Sequence, residues 1–190
     1  MIGGVIMLLA HREMDGAGNI LEQLLSVHLY EVGKRAGKIG QEIGLKSFMK
    51  LAGYIHDAGK ADRNFQDYIQ GQIKRRVNHS SAGGRILEDL VSSIPEFAEV
   101  KSSRRFRYFQ EIMTYIIFAH HGLYDQITYG NTELNSYSKI HYDEEEGYHY
   151  KEDVVPFIKS FDIELQEKGE KSLTELVKDA FEEFKIIYDK

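Results

Sequence analysis

Gly53-Tyr54-Ile55-His56-Asp57-Ala58-Gly59-Lys60 sets an imidazole and a carboxylate side by side at the end of an apolar run. Imidazole is a ligand for transition metals, and a carboxylate is a hard ligand able to bridge two ions. With about 3.6 residues per turn, neighbours inside a helix point about 100° apart. At a fraying last turn both can converge on one ion. Gly59 reads as the residue just past a helix C-terminus, where φ is positive. Lys60 brings a cation beside the metal, where a phosphate would be held. Taken alone, a His-Asp pair is more often a buried hydrogen bond that caps a helix. The other histidines change that weighting.

His28 falls on the inward face of a helical pattern made by Leu21, Leu24, Leu25, Val32 and Ala36. His79 stands in Asn78-His79-Ser80-Ser81-Ala82-Gly83-Gly84, which opens a second pattern, Ile86, Leu87, Leu90, Val91 and Ile94. Backbone N–H groups at such a helix start favour anions, phosphate among them. His120-His121-Gly122 ends the most apolar helical run, as His56-Asp57 ends another. The candidates are therefore His28, His56, Asp57, His79, His120 and His121, from four helical elements. Six ligands are too many for one tetrahedral ion and fit two neighbouring ions bridged by Asp57. One ion would activate a water, and both would stabilise charge on a phosphoryl oxygen. Imidazole-rich ligation favours manganese, iron, cobalt, nickel or zinc over magnesium. There is no Gly-x-x-x-x-Gly-Lys-Ser/Thr phosphate loop and no Ser-His-Asp pattern.

The elements that must position these residues read as helices. The chain has 190 residues and two prolines, and 42% of it is hydrophobic, which suits one domain with a real core. It lacks cysteine, so a metal site has only His, Asp, Glu and water to draw on. Residues 1–10 are apolar but too short to span a bilayer, and read as a buried strand or lead-in. No membrane segment is expected, and the cytoplasm is the expected location. Asn19 with Glu22 reads as a capping box opening the first helix. A second helix is expected from Ser47 to Asp57. A third, shorter one turns Phe65, Tyr68 and Ile69 inward. A long central helix is expected from Arg104 to His121, with Phe109, Ile112, Met113, Ile116 and Ile117 inside. Residues 123–151 carry tyrosines among polar residues and read as a long loop with room for a short hairpin. Two C-terminal helices close an all-α bundle forming a single domain over 1–190. The net charge of −6 argues against bulk polyanion binding. Local positive charge would come from Lys74-Arg75-Arg76, from Lys101, Arg104, Arg105 and Arg107, or from bound ions.

The order of these motifs resembles the HD superfamily of metal-dependent phosphohydrolases. The wider text is similar to the HD nuclease of type I CRISPR systems over roughly residues 8–125. It runs Ala10-His11, Leu25-x-x-His28-Leu29, Gly53-x-x-His56-Asp57-x-Gly59-Lys60, Phe65-Gln66-x-Tyr68, His79-Ser80-x-x-Gly83 and Ala119-His120-His121-Gly122. The resemblance implies an HD-domain helical bundle that cuts single-stranded DNA, and often RNA, with divalent metal. It implies His28, His56 and Asp57 on a first ion, and Asp57, His79, His120 and His121 on a second. Asp57 and Lys60 would be catalytic, and Lys60 and Ser80 would touch the substrate phosphate. The implied partners are single-stranded nucleic acid, a separate CRISPR helicase subunit and the RNA-guided surveillance complex. The family also supplies a late aspartate to the first ion. Asp162, Asp179 and Asp189 are the late aspartates here, and none matches its setting. Two alternatives stay open: an HD phosphohydrolase acting on nucleotides, and a catalytically impaired nucleic-acid-binding or assembly subunit.

Overall fold

The computed structural model of the chain describes residues 7–74, 77, 79–121 and 149–190. The all-α expectation holds. Among the described residues there are seven α-helices and one two-stranded hairpin. The hairpin pairs β1 (Leu9–Met14) with β2 (Ile20–Leu24) in antiparallel register, Met14 opposite Ile20 and Leu9 opposite Leu24. Its turn is built on Asp15, whose Oδ1 accepts from the Ala17 and Asn19 amides at 2.9 and 2.8 Å. Gly18 completes the turn at φ +86°, in the left-handed region.

This hairpin corrects the expected first helix. Asn19 and Glu22 form no capping box, and Ile20–Leu24 is a strand. Glu22 faces Arg12 across the hairpin at 3.3 Å. The local cap signal loses to pairing with a strand that the sequence window did not include. Leu21 and Leu24 are exposed accordingly.

Helix α1 (Leu25–Gln41) and α2 (Lys46–Ile55) form an antiparallel pair joined by a short loop, which Gly44 turns at φ +76°. The face of α1 that meets α2 carries Gly33, Gly37 and Gly40. A Cβ on Gly53 would stand 2.7 Å from the Gly33 Cα, so the two backbones touch directly. Glycine carries no hydropathy signal, and this face was invisible to the apolar pattern. After α2 come a 3-10 turn (Ala58–Ala61) and α3 (Arg63–Ile69). Gly59 lies inside that 3-10 turn and not at positive φ, a second correction. Phe65 is buried in α3 while Tyr68 is exposed.

Helix α4 (Ser81–Ser92) packs on α5 (Arg104–Phe118), which ends in a 3-10 turn, Ala119–His121. Within α5, Phe106, Phe109, Met113 and Ile117 face the core, and Ile112 faces solvent. A π-helical turn (Tyr150–Val154) leads into α6 (Val155–Glu167), and α7 (Leu173–Tyr188) follows. Ser172 and Glu175 give α7 a reciprocal capping box. The centre of the core is aromatic: Phe106, Phe109 and Phe181 stack with centroids 5.0–5.9 Å apart, flanked by Phe48 and Phe184. Burying each such side chain contributes about 1.5–3 kcal/mol. Among the described residues no helix is long and apolar enough to cross a membrane. The hairpin expected in 123–151 and the Arg75-Arg76 part of the basic patch lie outside the described residues.

Candidate metal centre

Asp57 stands where α2 gives way to the 3-10 turn. His56 keeps helical angles, and Asp57 then leaves them at φ −107°, ψ 13°. That break turns the carboxylate into the protein, where it is 3% exposed. Three other elements bring histidines to it. His28 comes from the first turn of α1, which the Gly33–Gly53 contact holds against α2. His79 comes from the residues leading into α4. A Cβ on Gly83 would lie 2.5 Å from the Ile55 carbonyl oxygen and 2.6 Å from Ile117, so this glycine lets α4 close on the ends of both α2 and α5. His120 comes from the turn that ends α5.

The four imidazoles divide between the two oxygens of one carboxylate. His28 Nε2 and His56 Nε2 lie 3.0 and 3.2 Å from Asp57 Oδ2. His120 Nε2 and His79 Nε2 lie 3.1 and 3.3 Å from Oδ1. The Lys60 ammonium is 2.9 Å from Oδ2. Burial alone would raise the Asp57 pKa, but hydrogen bonds from His120, His28, His56 and His79 outweigh it and hold the carboxyl far below the usual range. The group is thus held as the anion, the form able to ligate a cation.

The far sides of the rings are also fixed. His56 Nδ1 donates to the Gly53 carbonyl at 2.9 Å, and His120 Nδ1 donates to the Ile117 carbonyl. Carbonyl oxygens only accept, so Nδ1 carries the proton in both. In the neutral ring Nε2 then presents its lone pair toward Asp57, and in the protonated ring it donates there. A lone pair facing a carboxylate oxygen is repulsive unless a cation sits between them, whether a proton or a metal. Backbone-anchored imidazoles around a shared carboxylate are the arrangement that orients metal ligands. The donor set therefore fits divalent ions.

Lys60 is 4% exposed, and its ammonium also donates to the Ala10 carbonyl at 3.1 Å. Buried Gln66 makes the neighbouring link. Its Oε1 accepts from the Leu9 amide at 2.9 Å, and its Nε2 donates to the Leu9 and Lys60 carbonyls at 2.9 and 2.6 Å. Strand β1 is thereby tied to the turn that carries Asp57. Ser80 directly precedes α4, next to His79. The side chain of His121 lies outside the described residues.

Sequence reasoning assigned no role to His11. Its ligand atom, with those of His28 and Asp57, forms a group lying within 4.8 Å of one another. The available signal was the dipeptide Ala10-His11 in a strand whose carbonyl Lys60 holds. Burial, then Lys60 and His28, hold the His11 pKa below its ordinary value. None of the late aspartates reaches the centre. Asp162 caps α7 through the Leu173 amide at 2.6 Å, Asp179 pairs with Lys171, and Asp189 pairs with Arg105. A separate group, Asp62, His149 and Asp153, joins α3 to the π-helical turn, and the Arg63 guanidinium grips Asp153 through two bonds of 2.7 Å.

A family model described as the HD domain of Cas3 matches residues 4–186. The chain belongs to the Cas3 HD-domain family. Membership implies a metal-dependent nuclease of type I CRISPR systems, acting with a CRISPR helicase and nucleic acid. HD domains bind divalent metal, in agreement with the donor set around Asp57. A search of curated proteins and a search of solved structures found no match.

Proposed function

We propose that the chain hydrolyses phosphodiester bonds of single-stranded DNA at a two-ion centre bridged by Asp57. The partition of imidazoles carries this reading. His28 and His56 on Oδ2 make one half-site, and His79 and His120 on Oδ1 make the other, with His121 assigned to the second. Ions held there would supply Lewis acidity to the scissile phosphate and lower the pKa of an attacking water. The protein's own part is orientation. Gly53 and Ile117 carbonyls fix two rings, and the buried, ionised Asp57 keeps the half-sites together. Lys60, beside Asp57, and Ser80, before α4, are the residues assigned to the substrate phosphate. The partners in this reading are a CRISPR helicase and the RNA-guided surveillance complex, which would deliver the strand.

A labelled single-stranded DNA circle tests the reading, because a circle has no ends and its cutting requires endonuclease action. With excess manganese, cobalt or nickel the circle becomes linear, and Asp57→Ala abolishes this more completely than His28→Ala. A circle left intact with all three metals overturns the reading. The engagement of Asp162, Asp179 and Asp189 by the Leu173 amide, Lys171 and Arg105 favours a second reading, an impaired subunit that binds strands without cutting them. Metal-independent strand binding, unchanged in Asp57→Ala and without cleavage, would be its signature.

A further inference from the structure

We infer that His11 is a ligand of the ion on the Oδ2 side of Asp57, making a third imidazole beside His28 and His56. This rests on the two-ion reading above and adds to it a residue from outside the helical bundle.

The placement is built rather than incidental. His11 follows directly on two residues whose backbones are bonded to the Asp57 turn and α3. Leu9 gives both its amide and its carbonyl to Gln66, and Ala10 gives its carbonyl to Lys60. Gln66 and Lys60 are themselves buried, so these bonds are shielded from water. The β1–β2 register is irregular between Leu9 and His11, and such irregularities re-aim a side chain relative to its strand. The result is a ring standing edge-on to His28, with centroids 4.8 Å apart. A ligand atom of His11 lies with those of His28 and Asp57 in one group spanning at most 4.8 Å. Ligands of one ion, each about 2.0–2.2 Å from it, sit at most a little over 4 Å apart, so small side-chain rotations close the set. The ring makes no hydrogen bond to another described residue, unlike His56 and His120. The Oδ2 half-site has room for a further donor, because Asp162, Asp179 and Asp189 are engaged by the Leu173 amide, Lys171 and Arg105.

The experiment is a manganese titration of the full chain followed by electron paramagnetic resonance, which counts free and bound ion without reference to activity. Wild type, His11→Ala, His11→Asp and Asp57→Ala are compared, with circular dichroism to confirm helical content. Wild type binds two ions. His11→Ala weakens one of them by at least about tenfold, the loss that removing even an outer partner of a metal ligand brings. His11→Asp restores it, because a carboxylate also ligates manganese. His11→Ala binding both ions as wild type does overturns the His11 assignment and leaves the Asp57 centre standing. Wild type binding no ion overturns the centre and the assignment together. Binding of one ion by wild type, unchanged in His11→Ala but lost in Asp57→Ala, overturns both the second site and the role of His11.

Discussion

The Gly33 Cα lies 2.7 Å from where a Cβ on Gly53 would stand. Helices α1 and α2 therefore meet backbone to backbone, and this contact sets where His28 stands relative to His56. Gly53→Ala gains about 1 kcal/mol of helix propensity. It also forces two backbones apart, an overpacking that costs about 1–3 kcal/mol or more. The clash involves no flexible side-chain end, so it wins. Urea denaturation should show a net loss of up to about 2 kcal/mol, with weaker metal binding as the His28 and His56 rings separate.

Asp57→Ala acts on stability as well as on metal. In the metal-free protein it leaves the buried Lys60 ammonium without its anion, and removing one partner of a buried pair costs about 3–5 kcal/mol. Asp57→Asn keeps the shape but loses the charge. Both variants should lower the thermal midpoint of the metal-free protein, and both should fail to retain metal in equilibrium dialysis.

Gln66→Ala removes three hydrogen bonds at once and leaves the Leu9 amide without its acceptor. An unsatisfied buried group costs about 1–3 kcal/mol. The loss should be local. Hydrogen exchange should speed up at Leu9 and through β1, while the Phe106–Phe109–Phe181 core keeps its protection.

Glu170 clasps α1 and α2 through Lys34 at 2.6 Å and through Lys50. Burial would raise its pKa, but the two lysines outweigh burial and hold it below the ordinary value of 4.5. A carboxylate depressed in the folded state stabilises above its unfolded pKa and loses that contribution as pH falls through the folded one. Glu170→Gln should thus be about 1 kcal/mol less stable than wild type at pH 7, the discount reflecting the half-exposed Lys34. The gap should close as the pH is taken below about 4.5 and the wild-type carboxyl protonates. Urea midpoints of the two proteins from pH 7 down to pH 3 check this.

The helices and most of the centre were legible in the sequence for one physical reason. Ligand-type side chains at the ends of strongly apolar helical runs are hard to justify by packing, and His28, His56, Asp57, His79 and His120 do converge. What escaped was non-local. Ile20–Leu24 looks helical until β1 lies beside it. The glycine face of α1 has no hydropathy, so its stripe was drawn through Leu21 and Leu24, which are exposed. His11 reaches the centre only through bonds from Gln66 and Lys60, residues about fifty positions further along the chain. Lys60, read as a group beside the substrate phosphate, stands beside Asp57 but is also buried against the hairpin.

The central claim is that Asp57 bridges two ions. Anomalous diffraction from crystals soaked in manganese tests it most directly. The account predicts two peaks flanking the Asp57 carboxylate, one beside His28 and His56 and the other beside His79 and His120. A single peak, no peak, or peaks away from Asp57 would contradict it.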